Sequence, residues 1–163
     1  MAFDAFLKID GIAGESVDKT HKDEIEIQSY SWGVTQTGSA ASGGGGGAGR
    51  AVAQDFHFTT SVSKASPNLM LACATGKHLK QAMLTCRKAG GDGGGGFEFL
   101  KIKLSDILIS GYAPDTSSGG DIPVESFTLN FVKIDFLYTV QRTGEDIETA
   151  FDFGRNGRGR FGG

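Results

Sequence analysis

A single stretch of this chain carries the signals of an α-helix, and the sequence on either side of it reads as strand cut by glycine. Residues Phe56 to Ser63 alternate as a strand. There follows Ser66-Pro67-Asn68-Leu69-Met70-Leu71-Ala72-Cys73-Ala74-Thr75-Gly76. A serine able to cap, a proline at the first helical position, an Ala/Leu/Met body and a stopping glycine predict a short helix over 66–75. A chain with one helix among strands is a β structure, so its function has to be sought in its surfaces.

The strands are read from period-two alternation. Residues 3–9 place Phe3, Ala5, Leu7 and Ile9 on one side. Residues 24–37 read as one long strand, but its phase slips: Ile25 and Ile27 lie on one face, and Tyr30, Trp32 and Val34 on the other, all expected to be buried. A change of parity implies a bulge near Gln28-Ser29 or a strand that passes between packing environments. Residues 51–62 and 79–88 give further strands, the latter with Ala82, Leu84 and Cys86 in phase. Residues 97–110 switch phase between Leu104 and Ile107. Residues 123–141 read as the longest strand, with a flip near Val132, and 146–153 as a last one. Segments 10–23, 90–96 and 111–121 read as loops.

Three long strands thus change their buried face partway. A small β-barrel of two antiparallel sheets, with strands that extend beyond it, generates that pattern. The extensions then need covering by a neighbouring copy of the same chain. The expected architecture is a mainly β single domain over 1–153 with one flanking helix, followed by a disordered Arg/Gly tail over 154–163. The 163 residues suffice for one domain with a real core. Candidate core residues are Trp32, Phe56, Phe58, Leu69, Leu84, Phe127 and Phe131.

Glycine is the compositional outlier, at 26 residues, about double the usual ~7%. Much of it stands in runs, so it marks loops. The segment 38–50, with Gly43 to Gly47 unbroken, reads as a long flexible loop, a kind usually functional or disordered.

Catalytic signatures are missing from the sequence. Gly44-x4-Gly49-Arg50-Ala51 shares only glycines with a phosphate loop, lacking its Lys and Ser/Thr, and a strand follows where a helix should begin. His21, His57 and His78 have no Cys or carboxylate at ligand spacing, so no metal and no cofactor are expected. His57, between Phe56 and Phe58, reads as structural. There is no Gly-x-Ser-x-Gly element. For Cys73 and Cys86 a disulfide is possible but unforced, and the simpler reading is two reduced, buried thiols. The formal net charge of −3 leaves no footprint for nucleic acid, and Arg155, Arg158 and Arg160 read as a solvated tail. The acidic stretch at Asp18, Asp23, Glu24 and Glu26 reads as a solvated strand entry. The N-terminus has no apolar core of a secretory signal, and no apolar run reaches membrane-spanning length.

One face stands out. Ser29, Ser31, Gly33 and Thr35 are small, polar and uncharged. Such a face is either an ordinary solvent surface or the lining of a channel, where large or charged side chains would obstruct a passenger.

The sequence also resembles a family. Met1-Ala2-Phe3-Asp4-Ala5-Phe6-Leu7-Lys8-Ile9-Asp10, Gly14-Glu15-Ser16, Lys19-Thr20-His21 and Tyr30-Ser31-Trp32-Gly33 occur in that order in Hcp, the tube protein of bacterial type VI secretion. So do Ser66-Pro67-Asn68-Leu69-Met70, Gly76-Lys77-His78 and Arg87-Lys88-Ala89-Gly90-Gly91. The resemblance runs from Met1 to about Val140, and nothing carries over to the segment from Thr143 onward. It implies a phage tail-tube-like β fold and homohexameric rings stacked into a tube. It also implies a VgrG-like spike, a contractile sheath and baseplate, and small secreted effectors held in the ring lumen. The protein would be cytoplasmic and then expelled to the medium or a target cell. On this reading Ser29, Ser31 and Thr35 face the lumen. Ser42, Gly43, Gly44, Gly45, Gly46 and Gly47 form a ring-stacking loop. The competing reading is an effector chaperone working as a soluble ring. An enzyme or fused toxin is disfavoured, because only about twenty residues follow the last long strand, too few for a catalytic fold.

Overall fold

A computed structural model describes residues 3–38, 49–89, 96–115 and 121–159. The elements in chain order are β1 (Phe3–Ile9), β2 (Ile25–Ile27), β3 (Ser29–Ser31), β4 (Val34–Gln36), β5 (Ala51–Ala53), β6 (Phe56–Ser61) and α1 (Ser66–Thr75). There follow β7 (His78–Lys88), β8 (Phe97–Asp115), β9 (Val124–Asn130), β10 (Lys133–Thr139), β11 (Asp146–Asp152) and β12 (Gly157–Arg158). Ten strands form one sheet, with a backbone order β12-β11-β10-β8-β7-β1-β2, while β9 continues from β8 to β6 and β3. β4 and β5 make a separate two-stranded sheet. Every ladder is antiparallel. The structure is mainly β with one short helix.

The bent strand β8 organises the sheet. Residues 123–141 were expected as one strand but are two, β9 and β10, lying end to end along the same flank of β8. Leu108 faces Asn130 and Ser105 faces Lys133, so the register is kept across the break. The bend falls at Asp106, a non-glycine residue at φ 54°, opposite Phe131 and Val132. It explains the phase switch in the sequence: Ile102 and Leu104 are buried before it, Ile107 and Ile109 after it. The same happens from Leu129 and Phe131 to Ile134. β8 also runs on to Asp115, through residues expected as loop, because Gly111 to Asp115 find partners on β9.

The two sheets and the single helix match the expected class, with one difference in closure. The ladder of the ten-stranded sheet is not closed. Residues 25–31 serve two neighbours: Ile25–Ile27 pair with β1 and Ser29–Ser31 pair with β6. At Gln28 the backbone changes partner, with its N–H donating to Thr59 O at 2.9 Å and Thr60 Oγ1 donating to Glu26 O. The parity slip at Gln28-Ser29 turns the pairing edge from one strand to the other, which leaves a seam between β2 and β6.

The core is one cluster fed by every arm, including Leu7, Ile25, Leu69, Leu84, Ile102 and Ile107. Its centre is an aromatic stack: Phe56 on Phe58 at 4.8 Å, and Phe58 on its cross-strand partner Phe127 at 5.2 Å. Trp32 stacks on Phe56 at 5.5 Å but stays half-buried, and Val34 is exposed at 48%, where burial was expected. The chain leaves the core sheet after Ser31, so β4 and β5 stand beyond it.

The helix is capped differently from the expected way. Ala65 is the N-cap and offers no side-chain bond; Ser66 is the first helical residue. Its Oγ accepts from Ser63 N at 3.0 Å and donates to Glu125 Oε1 at 2.8 Å. Tyr112 OH donates to the other oxygen of Glu125. A carboxylate at 1% exposure is thus satisfied by two hydroxyls and ties α1 to β8 and β9. At the far end Gly76 takes φ 65°, the left-handed closure that glycine accepts without strain.

Residues 154–159 turn back against β11. Asp152 Oδ1 accepts from the N–H groups of Gly154 at 2.9 Å and Arg155 at 3.2 Å. Gly157–Arg158 then return against Phe151 and Asp152. Asn156 Oδ1 accepts from Ala51 N at 3.0 Å, and Arg50 donates to Phe153 O, so this turn is stitched to the β4–β5 hairpin.

Candidate functional site: a hydroxyl face and an apolar recess

Two cross-strand rows define the outer face of the β3-β6-β9-β8 arm. Ser29 stands beside Thr59, Ser126 and Ala113. Ser31 stands beside His57, Thr128 and Gly111. Directly paired residues project to the same side of a sheet. The result is a face of hydroxyls without a formal charge in either row. Ser29, Ser31 and His57 are exposed; Thr59, Ser126 and Thr128 are half-exposed. A Cβ at Gly111 would come within 2.9 Å of Thr128 Oγ1, so glycine keeps this hydroxyl in place.

The rim is fixed by Asp55. Ser110 Oγ donates to its Oδ2 at 2.6 Å and Asn130 Nδ2 to its Oδ1 at 2.9 Å. Thr35 is not part of the arm. It lies on β4 opposite Val52, separated from Ser31 by Trp32, Gly33 and Val34. His57, expected to be structural, is on the outer face, because period-two alternation points it away from Phe56 and Phe58. Alternation on β6 and β9 carried this signal, but only the pairing shows that Thr59, Ser126 and Thr128 join Ser29 and Ser31.

On another side lies an apolar recess of about 230 Å³, lined by Trp32, Val34, Ile134, Phe136, Phe151 and Phe153 among others. It sits where β10 and β11 extend past the core beside the β4–β5 hairpin. Beyond it the cross-strand pair Tyr138 and Ile147 is exposed at 40% and 57%. The last described rung of the hairpin joins Thr37 and Arg50: Thr37 N donates to Arg50 O and Arg50 N to Thr37 Oγ1 at 2.9 Å. Ser42 and Gly43 to Gly47 lie outside the described residues.

The electrostatics hold the frame together. The Arg87 guanidinium, 2.6 Å from Asp18 Oδ2 and 3.2 Å from Asp4 Oδ2, keeps the Asp18 carboxyl well below the usual carboxylate range. Arg87 is itself pushed up by Asp18, against the effect of its own desolvation. It also lies over the Phe6 ring at 5.0 Å. The two ring nitrogens of His21 face Glu24 at 2.9 Å and Glu98 at 2.7 Å, and the ring stacks on Phe6 at 4.5 Å. Burial raises Glu98, but the bonds from His21 and Lys101 outweigh it and hold its carboxyl low. Burial pushes the Cys86 thiol up, partly offset by its bond to Tyr30. Cys73 and Cys86 are both free. These groups pin the 10–23 segment to β1, β7 and β8. Among the described residues no group of three His, Cys, Asp or Glu side chains is placed to hold a metal ion.

Residues 6–138 match the family described as type VI secretion system effector, Hcp. The chain belongs to the Hcp family of type VI secretion. It is 47% identical over 142 residues to Protein hcp1 of Pseudomonas aeruginosa, covering 87% of this chain and 86% of that one. Hcp1 from Salmonella typhimurium superposes with a TM-score of 0.83 at 37% identity, over 97% of this chain and 99% of that one. A type VI secretion system effector from Yersinia pestis gives 0.75 at 35% identity, over 91% and 99%. The family is one of structural secretion proteins. No helix among the described residues is long and apolar enough to cross a membrane.

Proposed function

We propose that the chain is a tube subunit that closes into six-membered rings, with the rings stacked into the tube expelled by a contractile sheath behind a VgrG-like spike. The observation that carries this reading is the apolar recess between β4, β10 and β11. An isolated domain gains by burying such a surface, and a second copy of the chain is the partner at hand. In a ring the contact is heterologous, one edge of a subunit against a different edge of the next. The hydroxyl face around Ser29 and Ser31 then lines the bore, with Thr35 as a neighbouring contact. A wettable wall without charge lets a small effector be held and released, which favours a carrier role within the same ring. On this reading the glycine segment Ser42–Gly47, which joins β4 to β5 in the chain, is the ring-stacking contact. Ordering so many glycines costs conformational entropy, so stacking is weak until the baseplate templates it. The assembled protein is held in the cytoplasm and leaves by expulsion.

Native mass measurement tests the reading. Six chains of 17.1 kDa give a species of about 100 kDa, and negative-stain images should show a central hole. A monomer at every accessible concentration would refute it.

A further inference from the structure

The seam between β2 and β6 opens into a groove of about 690 Å³ that the proposed bore and recess leave unused. Its wall carries Asp4, Glu15, Asp18 and Glu26 against a single cation, Arg87. Arg87 is already committed to Asp18 and Asp4. Glu15 and Glu26 are exposed and have no ion-pair partner among the described residues. The groove is therefore a net anionic surface. It also presents apolar side chains: Val17 is 91% exposed and Ile122 57%.

One segment of the chain has the opposite character and no assigned role: Arg158-Gly159-Arg160-Phe161. It lies beyond residue 138, where the family match ends. Arg158 already stands in the short strand β12. In an extended chain Arg158 and Arg160 share one side, and Gly159 and Phe161 the other. Glycine lets such a backbone approach a wall closely.

β12 and β2 are the two ends of the sheet order, with β11, β10, β8, β7 and β1 between them, so the strand that carries Arg158 and the strand that walls the groove are different edges of the sheet.

We propose that the seam groove of one subunit receives the Arg158–Phe161 segment of the next, with Glu15 and Glu26 facing the two arginines and Val17 and Ile122 meeting Phe161. This rests on the self-association proposed above and specifies one of its contacts. The edge that donates, β12, and the edge that receives, β2, are different surfaces, as a heterologous contact requires.

The test is a charge-swap cycle on the full chain, read by sedimentation over a concentration series at low and high salt. The proteins are the wild type, R158E/R160E, E15K/E26K and the combination of all four changes. All four positions are exposed or outside the described residues, and unchanged circular dichroism and melting serve as the folding control. Each pair alone is expected to raise the dissociation midpoint roughly tenfold or more, with the wild type weakening as salt increases. The combined protein is expected to return to within about threefold of the wild type, because only groups in contact rescue each other. Wild-type assembly that neither pair weakens, or a combined protein no better than the worse pair, overturns this contact and leaves self-association standing. A wild type that never associates overturns both.

Discussion

Val34 offers the sharpest test of what the apolar recess is for. It lines the recess with Trp32, Phe136 and Phe151, yet is 48% exposed in the single chain. Val34→Asp therefore asks different things of the monomer and the assembly. In the monomer the carboxylate turns to water. The cost is the strand preference of valine over aspartate, within about 1 kcal/mol, or roughly 2–4 °C in melting temperature for a domain of this size. In an assembly that covers the recess the carboxylate loses water and meets Trp32, Ile134 and Phe136. An unpaired charge in that position costs several kcal/mol. Taking about 3 kcal/mol per contact, the dissociation constant rises roughly a hundredfold. Val34→Thr, similar in shape and uncharged, should stay within about tenfold of the wild type. Sedimentation velocity over a concentration series, paired with thermal melts of the same samples, reads both quantities. If Val34→Asp assembles with a midpoint within about threefold of the wild type, the recess is not a subunit contact and the reasoning from uncovered apolar surface fails.

Phe58→Ala should cost about 3–5 kcal/mol, because Phe58 is fully buried and sandwiched between Phe56 and Phe127; urea unfolding showing a loss under about 1 kcal/mol would mean the stack is not the centre of the core. Asp18 has a lowered folded pKa, so its stabilisation is present above the unfolded value near 4 and disappears as pH falls below it. Asp18→Asn should lower the melting temperature at neutral pH and flatten its fall between about pH 4 and pH 2; an equal slope in both proteins would contradict this. Ser31→Gln should leave ring mass unchanged and reduce the effector recovered with purified rings, and unaltered effector levels would remove this face from the contact surface. Deleting Gly43 to Gly47 should spare rings but impair secretion, and normal secretion from the deletion strain would count against a stacking role.

The phase changes in the sequence located the bends well, because burial on one side imposes period two and a bend must interrupt it. Gln28, Asp106 and Val132 mark those interruptions. What alternation lacks is partner identity. It could not show that β9 and β10 share one flank of β8, or that Gln28 leaves a seam in the sheet. The helix was legible from its glycine and proline, both ends included, yet the role of Ser66 was not. Ser66 is drawn to Glu125, which is distant in sequence, and a tertiary bond of that kind overrides local capping preference. The hydroxyl face was half legible: Ser29 and Ser31 follow from alternation within one strand, whereas Thr59, Ser126 and Thr128 arrive through pairing. The turn at 154–159 was not legible from Arg and Gly composition, because its contacts come from Asp152, Asn156 and a hairpin far away in the chain.

The shared register of β9 and β10 along β8 has a consequence for how this chain tolerates insertions and deletions. A residue gained or lost near Asp106 or Val132 would turn every later side chain of the long hairpin inside out, sending Ile134 to water and Lys133 inward. Lengthening at the hairpin tips shifts no such frame. Natural variation in length should therefore gather at those tips and avoid the elbow.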